Sequence, residues 1–174
     1  MIAAPEHWVF GYGSLMWRPG FKFLQSCAAR LEGFHRSLCV RSHIYRGTAE
    51  VPGAVMALRR GGACDGVAFE VADEVWPGTL DYLRKRELVT NVYIERQLPV
   101  QLIGHDKDVE AITYVVDEDH DQFLGEMTRE EILVLVRQGV GQAGRCDDYV
   151  RNTAAELRSL GLSDPYVDEI IDSL

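Results

Sequence analysis

Short apolar segments, several of them separated by glycine, fill the first two thirds of the chain. Segments rich in Val, Ile, Phe and Tyr and bounded by turn residues are typical of β-strands. We expect a bend at Gly33, a turn at Gly61–Gly62, and a sheet edge or a bulge at Pro99. The predicted strands are 7–15, which runs into a glycine-containing turn, 29–41, 53–60, 64–72, 93–103 and the buried 109–117.

One helix is predicted to interrupt these strands at 73–87, and the last third of the chain has a helical pattern. Thr128 and Glu131 have the spacing of a capping box before an apolar run. Asp147 is predicted to cap the next helix, and Asp164–Pro165 to open the last one with proline at its first position. The apolar stripes of these two helices are Val150, Ala154 and Leu157 in the first and Val167, Ile170, Ile171 and Leu174 in the second.

About six strands, one inserted helix and a helical last third predict an α+β fold. A small, partly closed mixed β-barrel with flanking helices fits this order of elements best. The chain has 174 residues, of which 47% are hydrophobic. That length and apolar content predict a single domain, 1–174, with its own core.

The net charge of −9 comes from 27 acidic and 18 basic residues. It argues against nucleic-acid binding, which needs a basic face to neutralise phosphates. Apolar runs stay short of the roughly 20 residues that span a bilayer, and the N-terminus lacks the features of a signal peptide. The four cysteines form no Cys-x-x-Cys pair, which predicts reduced thiols and a cytoplasmic location. The five histidines lack metal-binding spacing, so no bound metal is predicted.

A glycine-containing loop, Phe10–Leu15, follows the first predicted strand. Glycine lets backbone N–H groups converge on an anion such as a carboxylate, because no Cβ stands in the way. The loop is not a dinucleotide-binding fingerprint, because Met16 stands where that motif needs its last glycine. It is not a nucleophile elbow, because Tyr12 and Met16 stand at its two glycine positions, and it is not a P-loop, because the lysine is missing. An ordinary strand-to-loop turn would use the same residues, so spacing alone leaves both interpretations open.

Arg46 lies in a polar, glycine-rich segment between two predicted strands. Its guanidinium has the forked geometry that binds a carboxylate through two hydrogen bonds. A solvated turn would also explain an arginine at this position.

Glu87 is a candidate acid/base because of its place on the predicted helix 73–87. Leu80, Leu83 and Glu87 fall on one helical face, so the carboxylate is predicted to face inward. Burial raises the pKa of a carboxyl group, which suits proton transfer near neutral pH. The alternative is an end-of-helix ion pair with Arg84, and the basic run Arg84–Arg86 is interpreted as a solvated face.

In this order, these segments resemble the ChaC family of γ-glutamylcyclotransferases over positions 8–172. The resemblance covers nearly the whole chain, and its motifs are specific in combination. They are the loop Tyr12-Gly13-Ser14-Leu15, the segment Ser42-x-x-x-Arg46-Gly47-Thr48, Val51-Pro52-Gly53, the strand Asp65-Gly66-Val67-Ala68-Phe69, Arg86-Glu87, and the late Tyr149-Val150.

The resemblance implies a cofactor-free enzyme that cleaves a small molecule, glutathione, into 5-oxoproline and Cys-Gly. In that reaction the γ-glutamyl α-amine attacks its own γ-carbonyl, with Glu87 as the general acid/base. The substrate contacts implied are Tyr12, Gly13, Ser14 and Leu15 through their backbone N–H groups, and Arg46 and Tyr149. Two alternatives stay open: an enzyme for other γ-glutamyl amino acids or amines, and a non-catalytic γ-glutamyl-binding module in which Glu87 is structural.

Overall fold

A computed structural model describes residues 6–174 of the chain. The strands are β1 (His7–Gly11), β2 (Gln25–Ser42), β3 (Gly53–Val71), β4 (Tyr93–Leu102), β5 (Asp108–Val116), β6 (Val140–Gly141) and β7 (Gly144–Arg145). The α-helices are α1 (Ser14–Trp17), α2 (Trp76–Glu87), α3 (Arg129–Gln138), α4 (Cys146–Ser159) and α5 (Pro165–Asp172), and a 3₁₀ turn at Asp73–Val75 precedes α2.

Five strands form a closed barrel in the order β1-β3-β2-β4-β5. The long antiparallel pair of β2 and β3 makes most of its wall. The barrel closes where β5 runs parallel to β1, with Trp8 opposite Ala111 and Val9 opposite Ile112. A barrel flanked by helices confirms the predicted α+β fold, and β6 and β7 form a separate small hairpin.

The predicted turn at Gly61–Gly62 is wrong, because both glycines lie inside the continuous strand β3. Both have positive φ, as has Gly33 on the facing strand β2. Between the pairs Glu32–Ala63 and Phe34–Arg60 the register shifts by one residue, which is a β-bulge. Glycine supplies positive φ in a bulge as readily as in a turn, so the two strands bend together here, and the predicted bend at Gly33 is confirmed.

Pro99 lies in the regular ladder with β5, opposite Glu110. On its other side β4 pairs with β2 through Gln101 and Leu102. Pro99 therefore lies where β4 has an unpaired edge, which is one of the two environments predicted for it.

Two of the three predicted helix starts are confirmed. The Thr128 hydroxyl accepts from the Glu131 N–H while the Glu131 carboxylate accepts from the Thr128 N–H, which completes the capping box. The Asp164 carboxylate caps α5 at Tyr166, with Pro165 at the first helical position. Asp147 does not cap α4: the helix already begins at Cys146, and Asp147 in its first turn pairs with Arg145 instead.

Helix α2 packs on the outside of the barrel through the fully buried Leu83. Alternate residues of β1 point to opposite sides of the sheet, so Trp8 and Phe10 enter the main core whereas Val9 meets Leu83. Glu87 follows Leu83 by four residues, about one helical turn, and lies on the same face of the helix. The packing of Leu83 thus fixes the direction of the Glu87 side chain.

All four cysteines are unpaired, and Cys39, Cys64 and Cys146 are buried. The Cys146 thiol donates to the Ala54 carbonyl oxygen at 3.0 Å, and burial raises its pKa to about 11, so it packs as a protonated thiol. In the part of the chain that the structure describes, no helix has the length and apolar character needed to cross a bilayer.

A buried guanidinium ties the loop after β1 to the rest of the fold. Arg36, in β2, is only 3% exposed. Its Nε donates to the Tyr12 carbonyl oxygen at 2.6 Å and its Nη2 to the Asp65 carbonyl oxygen at 2.5 Å. Its Nη1 pairs with the carboxylate of Asp164, the cap of α5. One side chain therefore joins the barrel wall, the loop and the C-terminal helix.

Replacing Asp164 is expected to destabilise the fold, since it leaves the buried Arg36 cation without its carboxylate. We expect Asp164→Ala to lower the free energy of unfolding by about 3 kcal/mol, measured by urea denaturation. Asp164→Asn keeps a capping oxygen and removes only the charge, so it isolates the ion pair. The control is Glu169→Ala, which breaks the exposed pair with Arg129 and is expected to cost under about 1 kcal/mol. Equal losses in Asp164→Ala and Glu169→Ala would contradict this assignment.

Candidate active site

A cleft of about 350 Å³ opens beside the loop after β1. Its walls come from that loop, the end of β2 and the segment after it, the start of β3, the end of α2 and the start of α4. All the residues singled out from the sequence reach it. They are Tyr12, Gly13, Ser14, Leu15, Arg46, Glu87 and Tyr149.

The loop after β1 presents backbone to the cleft. The Tyr12 hydroxyl is already used, donating to the Tyr114 carbonyl oxygen at 2.6 Å, and the Leu15 side chain packs in the core. The Ser14 hydroxyl accepts from Arg86 Nη2 at 2.9 Å. Ser14 and Leu15 are the first residues of α1, so their N–H groups have no acceptor within the helix. With these side chains engaged elsewhere, the N–H groups of Ser14 and Leu15 are the donors that the loop has left for a ligand.

Gly13 lies against Tyr149 so closely that a side chain would not fit. A Cβ at Gly13 would stand 2.8 Å from the Tyr149 hydroxyl oxygen. This close approach explains why the loop needs glycine here.

The Tyr149 hydroxyl is held as a hydrogen-bond donor for the cleft. It accepts from the Met56 N–H at 3.0 Å, while the Met56 carbonyl oxygen accepts from the Tyr93 hydroxyl at 2.8 Å. Within residues 6–174 the Tyr149 hydroxyl donates to no protein acceptor, so its proton is free for a ligand. Burial raises the pKa of Tyr149 well above its ordinary value, which keeps that proton in place at neutral pH.

Arg46 is a buried cation, 6% exposed, without a carboxylate partner among the described residues. Its Nη1 donates to the Arg145 carbonyl oxygen at 3.0 Å, and its guanidinium lies 5.4 Å from the centre of the Tyr149 ring. Burial lowers its pKa, yet arginine stays charged in proteins. An unpaired buried charge is costly, so an anionic ligand group would stabilise this site.

Glu87 projects into the cleft with its side chain 17% exposed. In residues 6–174 no hydrogen bond is donated to its carboxylate, and its ion-pair partner is Arg86, whose Nε lies 3.3 Å from Glu87 Oε1. Burial raises the pKa of Glu87, and the Arg86 cation partly opposes that rise. A carboxylate with a raised pKa and free oxygens can accept a proton and return it.

The alternative pairing of Glu87 with Arg84 does not occur. Arg84 binds Glu95 through two hydrogen bonds, at 3.0 Å from Nε and 2.8 Å from Nη2. The interpretation of Arg86 as part of a solvated face is wrong. Its guanidinium donates to the Ser14 hydroxyl, the Tyr82 hydroxyl and the carbonyl oxygens of the segment 18–19, so it joins α2 to the glycine loop.

Sequence reasoning also missed cleft residues other than Arg86, chiefly Trp17 and Gln122. Trp17 follows the loop Tyr12–Leu15 by two residues, which was the available clue, whereas nothing near Gln122 in the sequence indicates a site. Tyr93 also lines the cleft, and its hydroxyl donates to the Met56 carbonyl oxygen. In the described part of the chain no three His, Cys, Asp or Glu side chains group as metal ligands would.

The fold is that of the γ-glutamylcyclotransferases. A crystal structure of a yeast γ-glutamyl cyclotransferase specific to glutathione superposes with a TM-score of 0.89, covering 97% of this chain and 95% of that one at 20% identity. At this identity the likeness establishes the architecture, which confirms the predicted γ-glutamylcyclotransferase-like barrel.

The chain belongs to the ChaC-like protein family, whose model matches residues 7–174. The glutathione-specific γ-glutamylcyclotransferase of Escherichia coli strain K12 is 34% identical to it, over 96% of this chain and 72% of the relative. The glutathione-specific γ-glutamylcyclotransferase 1 of Danio rerio is 33% identical, over 93% of this chain and 83% of the relative. The resemblance seen in the sequence is thereby confirmed.

Arg86 is expected to control the pKa of Glu87. Because its cation lowers the pKa of the carboxyl, Arg86→Met should raise the pKa of Glu87 further above its ordinary value. The pKa can be measured by ¹³C NMR titration of the glutamate carboxyl carbons. Arg84→Met is the matched control, since Arg84 pairs with Glu95 and should raise the pKa of that residue alone. An equal effect of both variants on Glu87 would rule out the specific pairing.

Proposed function

We propose that this protein is a glutathione-specific γ-glutamylcyclotransferase with Glu87 as its general acid/base. The observation that carries the proposal is the carboxylate of Glu87, which accepts no hydrogen bond in residues 6–174, has a raised pKa, and shares a cleft with backbone N–H donors and the buried Arg46. The names of the relatives support it. Four unpaired cysteines and a thiol substrate also support a cytoplasmic location.

The proposed reaction needs little beyond positioning and one proton carrier. The γ-glutamyl α-amine attacks the γ-carbonyl carbon, a C–N bond forms to close the five-membered lactam, and the amide bond to cysteine breaks. Glu87 takes the proton released by the attacking nitrogen and returns it to the leaving amine of Cys-Gly. Holding both groups in the attacking geometry can contribute roughly 7–11 kcal/mol, and a positioned acid/base about 10²–10⁴-fold.

The charge of the cleft favours glutathione over γ-glutamylamines. Arg18, Arg41 and Arg46 line the cleft, and none of them pairs with a carboxylate in residues 6–174. Glu87 is the acidic residue among the lining side chains. Glutathione brings two carboxylates to this basic cleft, whereas a γ-glutamylamine brings one. The second carboxylate thus has arginines to pair with, although the protein as a whole carries a charge of −9.

Glu87→Gln is expected to abolish turnover while the protein stays folded, because the amide cannot carry the proton. The assay incubates the protein with glutathione and quantifies 5-oxoproline and Cys-Gly by mass spectrometry. Glu74→Gln, an exposed change at the start of the same helical segment, should keep full activity. Activity of Glu87→Gln above a few per cent would remove Glu87 from this role. A wild-type protein that binds glutathione and releases no 5-oxoproline would instead identify a binding module.

Blocking the substrate amine is expected to stop the reaction, because the amine is the nucleophile and an amide nitrogen attacks poorly. N-acetylglutathione should therefore give no Cys-Gly, whereas S-methylglutathione should remain a substrate, since the sulfur takes no part in bond making. Both can be compared by the rate of dipeptide release. Comparable cleavage of N-acetylglutathione would exclude cyclisation and require an external nucleophile.

A further inference from the structure

Two buried polar side-chain atoms in residues 6–174 have no hydrogen-bond partner: Nε1 of Trp17 and Oε1 of Gln122. Both residues line the cleft that contains Glu87. Buried polar atoms are rarely left unpaired, because each one loses its bonds to water without replacement. One unpaired donor and one unpaired acceptor in the same cleft indicate ligand groups of the opposite kind.

The amide of Gln122 is fixed with its oxygen as the free group. Its Nε2 donates to the Arg41 carbonyl oxygen at 2.9 Å, and since a carbonyl can only accept, the amide cannot be turned over. The backbone of Gln122 is held as well, with its carbonyl oxygen accepting from the Arg41 N–H at 2.8 Å and its N–H donating to His120 Nδ1 at 3.1 Å. Oε1 is therefore an unpaired acceptor that can bind an N–H group of a ligand.

The indole of Trp17 is fixed among aromatic and cationic groups. Its ring meets Tyr149 edge to face at a centroid distance of 6.4 Å. The guanidinium groups of Arg18 and Arg46 each lie 5.8 Å from its ring centre. Indole nitrogen can only donate, and two nearby cations favour a negatively polarised acceptor. Nε1 is therefore suited to an oxygen of an anionic or amide group.

We propose that Trp17 and Gln122 are the specificity-determining pair for the Cys-Gly part of glutathione. Gln122 Oε1 accepts from the glycine amide N–H, and Trp17 Nε1 donates to an oxygen of the glycine carboxylate, which the two nearby guanidinium groups also attract. This inference rests on the proposed function, in which the glutamyl part occupies the loop after β1 and Glu87. It goes further, because γ-glutamylcysteine and γ-glutamylamines lack the glycine amide and would leave Gln122 unpaired.

The test compares binding of glutathione and γ-glutamylcysteine by titration calorimetry in a Glu87→Gln background, where neither ligand should be consumed. Trp17→Phe keeps an aromatic ring and removes the N–H, and Gln122→Leu removes the acceptor. Each is expected to weaken glutathione binding about tenfold and γ-glutamylcysteine binding less than about twofold. The Glu87→Gln protein without a further change should bind glutathione more tightly than γ-glutamylcysteine, and the ratio of the two affinities should fall in both variants.

Two matched controls lie outside the cleft. Trp76→Phe alters a tryptophan that stacks on His7, and Gln138→Leu alters a glutamine whose Nε2 also donates to a carbonyl oxygen, that of Pro52. Both should leave the two affinities unchanged. If Gln122→Leu fails to fold, as judged by its thermal unfolding midpoint, Trp17→Phe carries the test alone.

Equal weakening of both ligands, or no weakening of either, overturns the proposal. The proposal is also overturned if the Glu87→Gln protein binds γ-glutamylcysteine as tightly as glutathione, or binds neither ligand. The 5-oxoproline assay on the wild-type protein separates this outcome from the proposed function. If the variants show the expected binding pattern but the wild-type protein forms no 5-oxoproline, the proposed enzymatic activity is refuted and the specificity role of Trp17 and Gln122 is retained. If the wild-type protein forms 5-oxoproline but the variants lack that binding pattern, the enzymatic activity is retained and the specificity role of Trp17 and Gln122 is refuted.

Discussion

The hydrogen bond from Arg36 to the Tyr12 carbonyl sets the direction of the loop on which the candidate site depends. In a trans peptide the C=O and the following N–H point in opposite directions. Because Arg36 draws the Tyr12 oxygen toward the buried side, the Gly13 N–H points away from it. The same guanidinium is anchored by Asp164 at the start of α5, so the C-terminal helix helps to orient a loop near the N-terminus.

The electrostatics of the cleft differ from those of the whole chain. Summed over the sequence, the charge is −9, which argues against a phosphate-binding surface but carries no information about a local site. Folding places Arg18, Arg41, Arg46 and Arg86 in the walls of the cleft that contains the Glu87 carboxylate. Arg86 is partly neutralised by Glu87, and the others are left for ligand anions. A small anionic substrate is thus attracted locally by a protein that is acidic overall.

The sequence predicted those features that depend on local periodicity and spacing. The inward face of Glu87 and the capping box at Thr128 follow from helical geometry, and both are confirmed. The Gly61–Gly62 pair was misassigned because positive φ serves a bulge and a turn equally. Arg86 and Gln122 were missed for a different reason. Their partners, Ser14 and Arg41, lie 72 and 81 residues away, and no local pattern records such contacts.

Two hydrogen bonds of the Met56 backbone determine which groups of the cleft can donate or accept a proton without a ligand. The Met56 N–H occupies one lone pair of the Tyr149 hydroxyl, and that hydroxyl, which donates to no acceptor in residues 6–174, keeps its proton for a ligand. Tyr93, which gives its proton to the Met56 carbonyl, is excluded from the same role. Glu87 is then the one group of the three that can accept a proton near neutral pH. This division suits a reaction whose nucleophile belongs to the substrate, because the protein then has to supply only a proton carrier and fixed donors.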